Sequence, residues 1–206
     1  MDAGNVVAGR RLVLASGNRG KLLELQALVH SMGARVQAQS ELGIEPAEEP
    51  HGTFLENAIA KARHAAIASS WPVLADDSGL CCRALGGGPG VRSARFAGPD
   101  ASDAQNNAAL LRALAGQSDR NAHYCCVVVA MRHADDPEPL VADGHWEGQI
   151  VDAPAGESGF GYDPHFWLPD LGCTVAQLAA EQKNRISHRA IAMRSIVALM
   201  RERWAW

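Results

Sequence analysis

The sequence predicts an α/β domain in which helices flank a mixed central sheet. In the first half of the chain, short apolar strands alternate with segments whose apolar residues recur at helical spacing. In the second half, two strand-like segments follow each other around a turn and indicate an antiparallel ribbon. The 206 residues, 47% of them hydrophobic, can bury one full core. We therefore expect a single domain over residues 11–206, preceded by a disordered extension at 1–10.

The chain begins with a strand, a turn and a helix. Residues 11–15 (RLVLA) form a short apolar strand, which the turn 16–20 interrupts. Leucines at helical spacing predict a helix over 21–30. Residues 34–38 alternate like a second strand, and the acidic, proline-containing segment 41–52 is typical of an exposed loop.

Capping boxes predict where the next helices begin. In such a box, a Ser or Thr precedes a Glu or Gln by three residues, and each side chain caps the other's backbone N–H. The helix that follows Thr53 should end near Ser70, ahead of the apolar strand 73–76. The helix that follows Ser102 should end before Gly116, and we assign it only a structural role.

The second half contains the ribbon and the C-terminal helices. Residues 124–131 are rich in Val and Cys and predict a buried strand. Residues 140–151 form one or two further strands. Thr174 can cap a short helix, and Ser187 can cap the long final one.

Composition excludes several classes of protein. A net charge of -4 gives no electrostatic footprint for nucleic acid or a membrane surface, so we expect neither partner. No stretch approaches the roughly 20 apolar residues of a membrane span, and no signal peptide begins the chain, so a cytoplasmic location is the default. The 5 cysteines include two adjacent pairs and no C-x-x-C, which indicates small buried residues rather than disulfides or a zinc site.

Asp76 and Asp77 are the most informative residues. They follow an apolar strand and precede the glycine-rich loop 86–90, so we expect them at a strand end, where carboxylates can hold a divalent metal beside a substrate. Adjacent residues of a strand point in opposite directions, so only one of the two can face the metal. A turn or N-cap role is the alternative, because Asp-Ser-Gly is also good turn chemistry.

Two further segments suit a phosphate and its metal. The turn between the first strand and helix carries Ser16, Gly17, Asn18, Arg19, Gly20 and Lys21. Free N–H groups at a helix start favour phosphate, although the spacing is not that of a Walker A loop. Glu48 and Glu49 offer hard oxygen ligands of the kind that Mg²⁺ prefers. The alternatives are an ordinary glycine turn and a solvated acidic loop.

Three segments could bind the rest of a ligand. A glycine-containing loop presents flat rings and a carboxylate, in Phe160, Gly161, Tyr162 and Asp163. A polar, basic cluster at a helix start contains Lys183, His188 and Arg189. Asn57 and Lys61 lie one helical turn apart. The alternatives are a packed aromatic turn, a solvated basic face and an ordinary helix surface.

In this order, the segments resemble the inosine triphosphate pyrophosphatase family, also called the Ham1 or non-canonical purine NTP pyrophosphatase family. The matching blocks are SGNRGK (16–21), FLENAIAKA (54–62), ADDSGL (75–80), GGGPGVRSARFAG (86–98), GFGYDP (159–164) and KNRISHR (183–189). The resemblance covers nearly the whole chain and is closest to bacterial members.

The resemblance implies hydrolysis of ITP, dITP and XTP or dXTP to the monophosphate and pyrophosphate, with Mg²⁺, by a homodimer. It implies an elongated, twisted mixed sheet with a cleft between two lobes. Asp77 would be the catalytic residue and a metal ligand, with Glu48 or, slightly favoured, Glu49. Ser78 would contact substrate, and residues 16–21 would hold the triphosphate. The purine site would contain residues 160–163, Lys183, His188 and Arg189.

The residues themselves leave other functions open. One is a phosphoryl-transferring NTPase or kinase that uses Gly20 and Lys21. Another is a module that senses a nucleotide without hydrolysing it. A third keeps the fold and acts on modified pyrimidine triphosphates.

Overall fold

A computed structural model of the chain describes residues 10–16, 22, 25, 26, 29, 30 and 33–206. Within these residues, one mixed sheet contains seven strands in the order β2-β1-β3-β4-β5-β6-β7. The strands are β1 Arg10–Leu14, β2 Ala34–Ala38, β3 Val73–Cys82, β4 Asn121–Met131, β5 Leu140–Ile150, β6 Phe166–Leu168 and β7 Cys173–Thr174. β1 runs parallel to β2 and β3, and every later pairing is antiparallel. The predicted α/β class with a mixed, twisted sheet is confirmed.

Among the described helices, those that follow Thr53, Ser102 and Ser187 begin where these capping residues predict, whereas the short helix predicted after Thr174 is a 3-10 turn, Val175–Gln177. The flanking α-helices are α1 Phe54–Ser69, α2 Asp103–Ala113, α3 Ala180–Ile186 and α4 His188–Trp204. Thr53, Ser102 and Ser187 each accept a hydrogen bond from the backbone N–H three residues later. Of the helix predicted over 21–30, the described residues Leu22, Leu25 and Val29 are helical and buried.

The core lies on both faces of the sheet. α4 covers one face through a cluster that includes Met193, Ile196 and Met200, and α1 covers the other through a cluster of small residues. A third cluster fills the end of the sheet near β6 and β7. α4 lies so close to β5 that a Cβ on Gly144 would come within 2.2 Å of the His188 carbonyl oxygen. This approach fixes the start of α4 over the middle of the sheet.

Asp76 and Asp77 lie in the middle of a strand, so the prediction of a strand end or turn was wrong. β3 continues to Cys82, and Asp76 and Asp77 pair with Val128 and Val127 of β4. Long-range pairing overrides the local turn preference of Asp-Ser-Gly. Gly79 allows this path, because a Cβ there would lie 2.4 Å from the Gly90 carbonyl oxygen.

A buried carboxylate closes the β4–β5 turn. Asp136 accepts hydrogen bonds from Arg132 backbone N, Nε and Nη2 at 2.9, 3.0 and 2.6 Å, and from Glu138 N at 3.1 Å. The hydrogen bonds from Arg132 hold the pKa of Asp136 well below its usual value.

The ends of the chain and the cysteines add little to the site. β1 begins at Arg10, one residue before the expected domain start, and residues 1–9 lie outside the described residues. All five cysteines are free thiols, and Cys82, Cys125 and Cys126 are buried. Among the described helices, none combines the length and apolar character needed to cross a membrane.

Candidate active site

Asp77 projects from β3 toward α1. Its Oδ1 lies 3.0 Å from Lys61 Nζ, and its Oδ2 accepts a hydrogen bond from Asn57 Nδ2 at 3.1 Å. Asn57 and Lys61 are one turn apart on α1, so the helix brings an amide and an ammonium to the same carboxylate. The structure thus brings together three of the residues that the sequence singled out.

Glu49 extends this group through the loop that precedes α1. Lys61 Nζ lies 2.5 Å from Glu49 Oε1 and also donates to the Asp76 carbonyl oxygen at 3.2 Å. Arg95 binds the other side of Glu49, with Nη1 3.3 Å from Oε2 and Nη2 3.2 Å from the backbone oxygen. Glu48 is exposed, and within the described part of the chain no hydrogen bond or ion pair joins it to this group. Of the two candidate glutamates, only Glu49 therefore lies beside Asp77.

The pKa values of Asp77, Lys61 and Glu49 shift in different directions. Burial raises the pKa of Asp77 and outweighs the opposing effects of Lys61 and Asn57. Burial alone would lower the pKa of Lys61, but Asp77 and Glu49 together raise it. Burial also opposes the shift at Glu49, whose pKa is nevertheless lowered by Lys61 and Arg95. The shifts of Asp77 and Lys61 are compatible, because one ammonium serves two carboxylates and Glu49 has Arg95 as well. Asp77 is thus the carboxylate whose negative charge is least balanced by nearby positive charge.

This donor set fits a hard divalent cation. Asp77 and Glu49 supply carboxylate oxygens. A nearby cation would stabilise the ionised form of Asp77, which burial disfavours. Within the described residues, no group of three His, Cys, Asp or Glu side chains is arranged to hold a metal. Any cation here would therefore need water or substrate oxygens to complete its coordination, as Mg²⁺ commonly does.

The opposite face of β3 carries Asp76 and Ser78, which both contact Arg189 of α4. Arg189 Nη2 donates to Ser78 Oγ at 3.3 Å, and its Nε lies 3.8 Å from Asp76 Oδ2. Asp76 is also 3.8 Å from the Cys126 thiol. Since side chains alternate along a strand, Asp77 and its two neighbours serve different faces of the sheet. Asp76 thus supports a basic side chain, and the two aspartates point to opposite faces of the sheet, as the alternation along a strand predicts.

Ser78 and Arg189 line a cleft on this face of the sheet. The residues that line it are Ser78, Gly79, Ser93, Ala94, Asp103, Asn106, Tyr124, Phe160, Gly161, Tyr162, Asp163, Lys183, His188 and Arg189. The structure therefore brings together all the residues predicted for the flat-ring end of the site.

Phe160 and Lys183 form the outer wall of this cleft. The Phe160 ring is 58% exposed, and Lys183 Nζ lies 4.5 Å from its centre. Lys183 also forms an ion pair with buried Asp163. Tyr124 donates to the other oxygen of Asp163 at 3.2 Å, and burial, reinforced by Asp163, raises the pKa of this phenol so that it stays a donor. An aromatic face and a fixed cation suit a flat, polar ring.

Two predicted residues have roles that differ from the expectation. Tyr162 is buried, and its hydroxyl donates to the Ser93 carbonyl oxygen at 2.8 Å, so it supports the wall rather than offering an open ring. Lys183 lies in the last part of α3, not at a helix start as predicted, because Ser187 ends α3 before α4 begins. His188 does lie in the first turn of α4, where its ring stacks on Tyr124 at 4.9 Å.

The free edge of β3 connects the two ends of the site. β1 pairs with β3 only at Val73 and Leu74, and a bridge from Pro89 covers Cys81 on the same side. Between these two contacts, β3 has no strand partner on that side among the described residues. Ser16 follows β1 at this edge, with its N–H bonded to the Leu14 carbonyl oxygen at 2.8 Å. The rest of the predicted phosphate turn, Gly17, Asn18, Arg19, Gly20 and Lys21, lies outside the described residues.

Sequence reasoning missed several residues of the site. Tyr124 was interpreted only as part of a buried strand, and Arg95 fell in a matching block without a role. Asp103 and Asn106 lie on α2, to which only a structural role was assigned. The available signal was the group of polar residues at the start of the capped helix α2. Polar residues there are not needed for core packing and can indicate contacts with another part of the chain.

Comparison with known proteins gives a consistent result. Residues 12–199 match the model of the Ham1 family. The chain is 58% identical to a dITP/XTP pyrophosphatase of Ralstonia nicotianae, over 93% of this chain and 97% of that one. It is 54% identical to a protein of the same name from Nitrosomonas europaea, over 93% and 95%.

Solved structures agree with this result. A HAM1 protein from Coxiella burnetii has a TM-score of 0.90 and 45% identity, over 94% of this chain and 99% of that one. The Staphylococcus aureus Ham1 protein has a TM-score of 0.86 and 41% identity, over 94% and 99%. The chain therefore belongs to the Ham1 family.

Proposed function

We propose that this protein is a pyrophosphohydrolase that cleaves non-canonical purine nucleoside triphosphates, namely dITP, ITP and XTP or dXTP, to the monophosphate and pyrophosphate. One observation carries the proposal: a buried carboxylate and ammonium group lies on one face of β3, and an aromatic, basic cleft lies on the other. A substrate that crosses the free edge of β3 can reach both. The relatives named dITP/XTP pyrophosphatase support the same activity.

The phosphate end would work through Asp77, Lys61 and Glu49. Asp77 orients a water molecule toward the α-phosphorus and accepts its proton as the bond to the bridging oxygen breaks. Pyrophosphate leaves with that oxygen, and Lys61 neutralises its growing charge. Lys61 suits this role better than Lys183, because Lys61 lies beside Asp77, whereas Lys183 lies with Asp163 at the other end of the site. Mg²⁺ held by Asp77 and Glu49 would supply further charge neutralisation at the phosphate oxygens.

The base end would select the substrate. Hypoxanthine and xanthine present a 6-keto oxygen that accepts hydrogen bonds, and the side chains that line the cleft include the donors Arg189 and His188. Adenine presents an amino group there and would leave a donor unpaired, at a cost of about 1–3 kcal/mol. Arg189 is held by Ser78 and Asp76, so its donors are oriented before a ligand arrives. Ser16 and the segment that follows it would contact the triphosphate.

Product analysis tests the proposal. Purified protein incubated with dITP and Mg²⁺ should release pyrophosphate and dIMP in equal amounts, and omission of Mg²⁺ should abolish release. Orthophosphate and dIDP as products would instead indicate a phosphoryl-transferring NTPase. Binding without turnover would indicate a nucleotide sensor. Initial rates across purine and pyrimidine triphosphates would separate the purine activity from a pyrimidine one.

The assembly and the location of the protein belong to the same proposal. A homodimer is supported by the family resemblance, and a cytoplasmic location remains the default expectation. Light scattering coupled to size-exclusion chromatography would distinguish a 21.9 kDa monomer from a dimer of twice that mass.

A further inference from the structure

Helix α2 begins beside the loop that carries Phe160. Asp103, the first residue of α2, accepts a hydrogen bond through Oδ2 from Gly161 N at 2.6 Å. One turn later, Asn107 Nδ2 donates to the Gly161 carbonyl oxygen at 2.8 Å and to the Asp103 carbonyl oxygen at 2.8 Å. Both backbone polar groups of Gly161 are therefore bound by the same helix.

The same turn of α2 also binds the other side of the cleft. Buried Asn106 accepts from Ala97 N at 2.9 Å and donates to the Ala94 carbonyl oxygen at 3.1 Å. Ala94 and Gly161 both line the cleft. The start of α2 thus joins two segments that are far apart in the sequence, and it fixes the separation between them.

Phe160 depends on these contacts for its position. Its ring is 58% exposed, so little packing holds it. Its backbone is held on one side by its own N–H, which donates to Asp163 Oδ2 at 3.0 Å, and on the other by the contacts of α2 with Gly161. Loss of the α2 contacts would free the ring to leave the plane in which a base can stack on it.

We propose that Asp103 and Asn107 are positioning residues for base recognition. They hold Gly161 so that Phe160 forms a fixed wall of the cleft. A base stacked on that wall would be held with its 6-position toward Arg189 and His188, so loss of the wall would weaken the binding of a 6-keto base more than that of adenine. This inference rests on the proposed function, because it concerns the substrate of the same site. Preorganised contacts of this kind raise affinity by lowering the cost of ordering the site on binding.

Asp103 offers a clean test, because its side chain is exposed and its replacement should not prevent folding. Asp103→Ala removes the acceptor for Gly161 N. Asp103→Asn also removes the charge but keeps a carbonyl oxygen that can accept, so it should rescue the contact. Ser102→Ala is the matched control: it removes the N-cap of the same helix, and Ser102 has no contact with Gly161.

The readouts are the kcat/KM ratio for dITP over dATP and the hydrogen-exchange rate of the Gly161 amide. For Asp103→Ala we expect a roughly tenfold rise in KM for dITP, a kcat within about threefold of wild type, a roughly tenfold lower ratio and faster exchange. Asp103→Asn should stay within about threefold of wild type in the ratio, and Ser102→Ala should not change it.

The outcomes separate this inference from the proposed function. An unchanged ratio in Asp103→Ala overturns the inference, and so does an equal loss in Ser102→Ala, which would indicate a general effect of helix stability. A wild-type protein that releases no pyrophosphate from dITP refutes the proposed function instead. Even then, equal Gly161 exchange in wild type and Asp103→Ala would refute the contact itself.

Discussion

Replacement of Asp77 by Asn should separate activity from stability. The amide has nearly the same shape, but its single oxygen cannot accept from both Asn57 and Lys61, and it lacks the charge that faces Lys61. We expect turnover to fall at least about 10³-fold, or about 4 kcal/mol of transition-state stabilisation, because the variant loses both the proton acceptor and a metal ligand. The fold should be preserved.

The same variant should be no less stable than wild type at neutral pH. Burial raises the folded-state pKa of Asp77, so the fold favours the neutral form of this side chain. Wild type therefore loses stability as pH rises from the unfolded-state pKa, about 4, through the raised folded-state value, and a neutral Asn does not. The stability advantage of the variant should be largest at neutral pH and should shrink toward about pH 4.

Pyrophosphate release and urea unfolding across this pH range are the measurements. Near-normal turnover of Asp77→Asn would remove Asp77 from the catalytic role. A variant less stable than wild type by more than about 1 kcal/mol at neutral pH would refute the reasoning about burial, because the ion pair with Lys61 would then outweigh it.

Three further predictions concern the loop, the strand and the turn. Glu49→Gln should raise the Mg²⁺ concentration for half-maximal rate about tenfold, whereas the matched Glu48→Gln should leave it unchanged; the reverse result would exchange their roles. Gly79→Ala should lower the free energy of unfolding by about 1–3 kcal/mol, because its Cβ would meet backbone 2.4 Å away, and an unchanged melting temperature would contradict this. Asp136→Asn should lower the free energy of unfolding by about 1.5–3 kcal/mol at neutral pH. Because the pKa of Asp136 is lowered on folding, the difference in unfolding free energy between wild type and variant should narrow as pH falls below about 4. A difference that stays constant with pH would show that the ionised carboxylate does not cause it.

Local signals in the sequence predicted the elements that depend on local chemistry. The caps Thr53, Ser102 and Ser187 satisfy N–H groups within one turn, so their effect is visible in four consecutive residues. The spacing of Asn57 and Lys61 likewise indicated a shared helix face, and the structure brings both to Asp77.

The errors concern contacts that are distant in the sequence. The extent of β3 depends on pairing with β4, about 50 residues later, which no local preference of Asp-Ser-Gly encodes. The contacts of α2 with Gly161 span 58 and 54 residues, so a capped helix with a polar start looked merely structural. Glu48 and Glu49 lie in an irregular loop, where no periodicity decides which side chain turns toward Lys61.

The alternation of side chains along β3 fixes which face of the sheet each residue of the site points to. Asp77 faces α1 while Asp76 and Ser78 face α4, so one strand divides the phosphate end from the base end. Insertion or deletion of a single residue before Asp77 would exchange the two sets and turn the carboxylate toward Arg189. Natural or engineered variants can therefore change the length of β3 ahead of Asp77 only by an even number of residues.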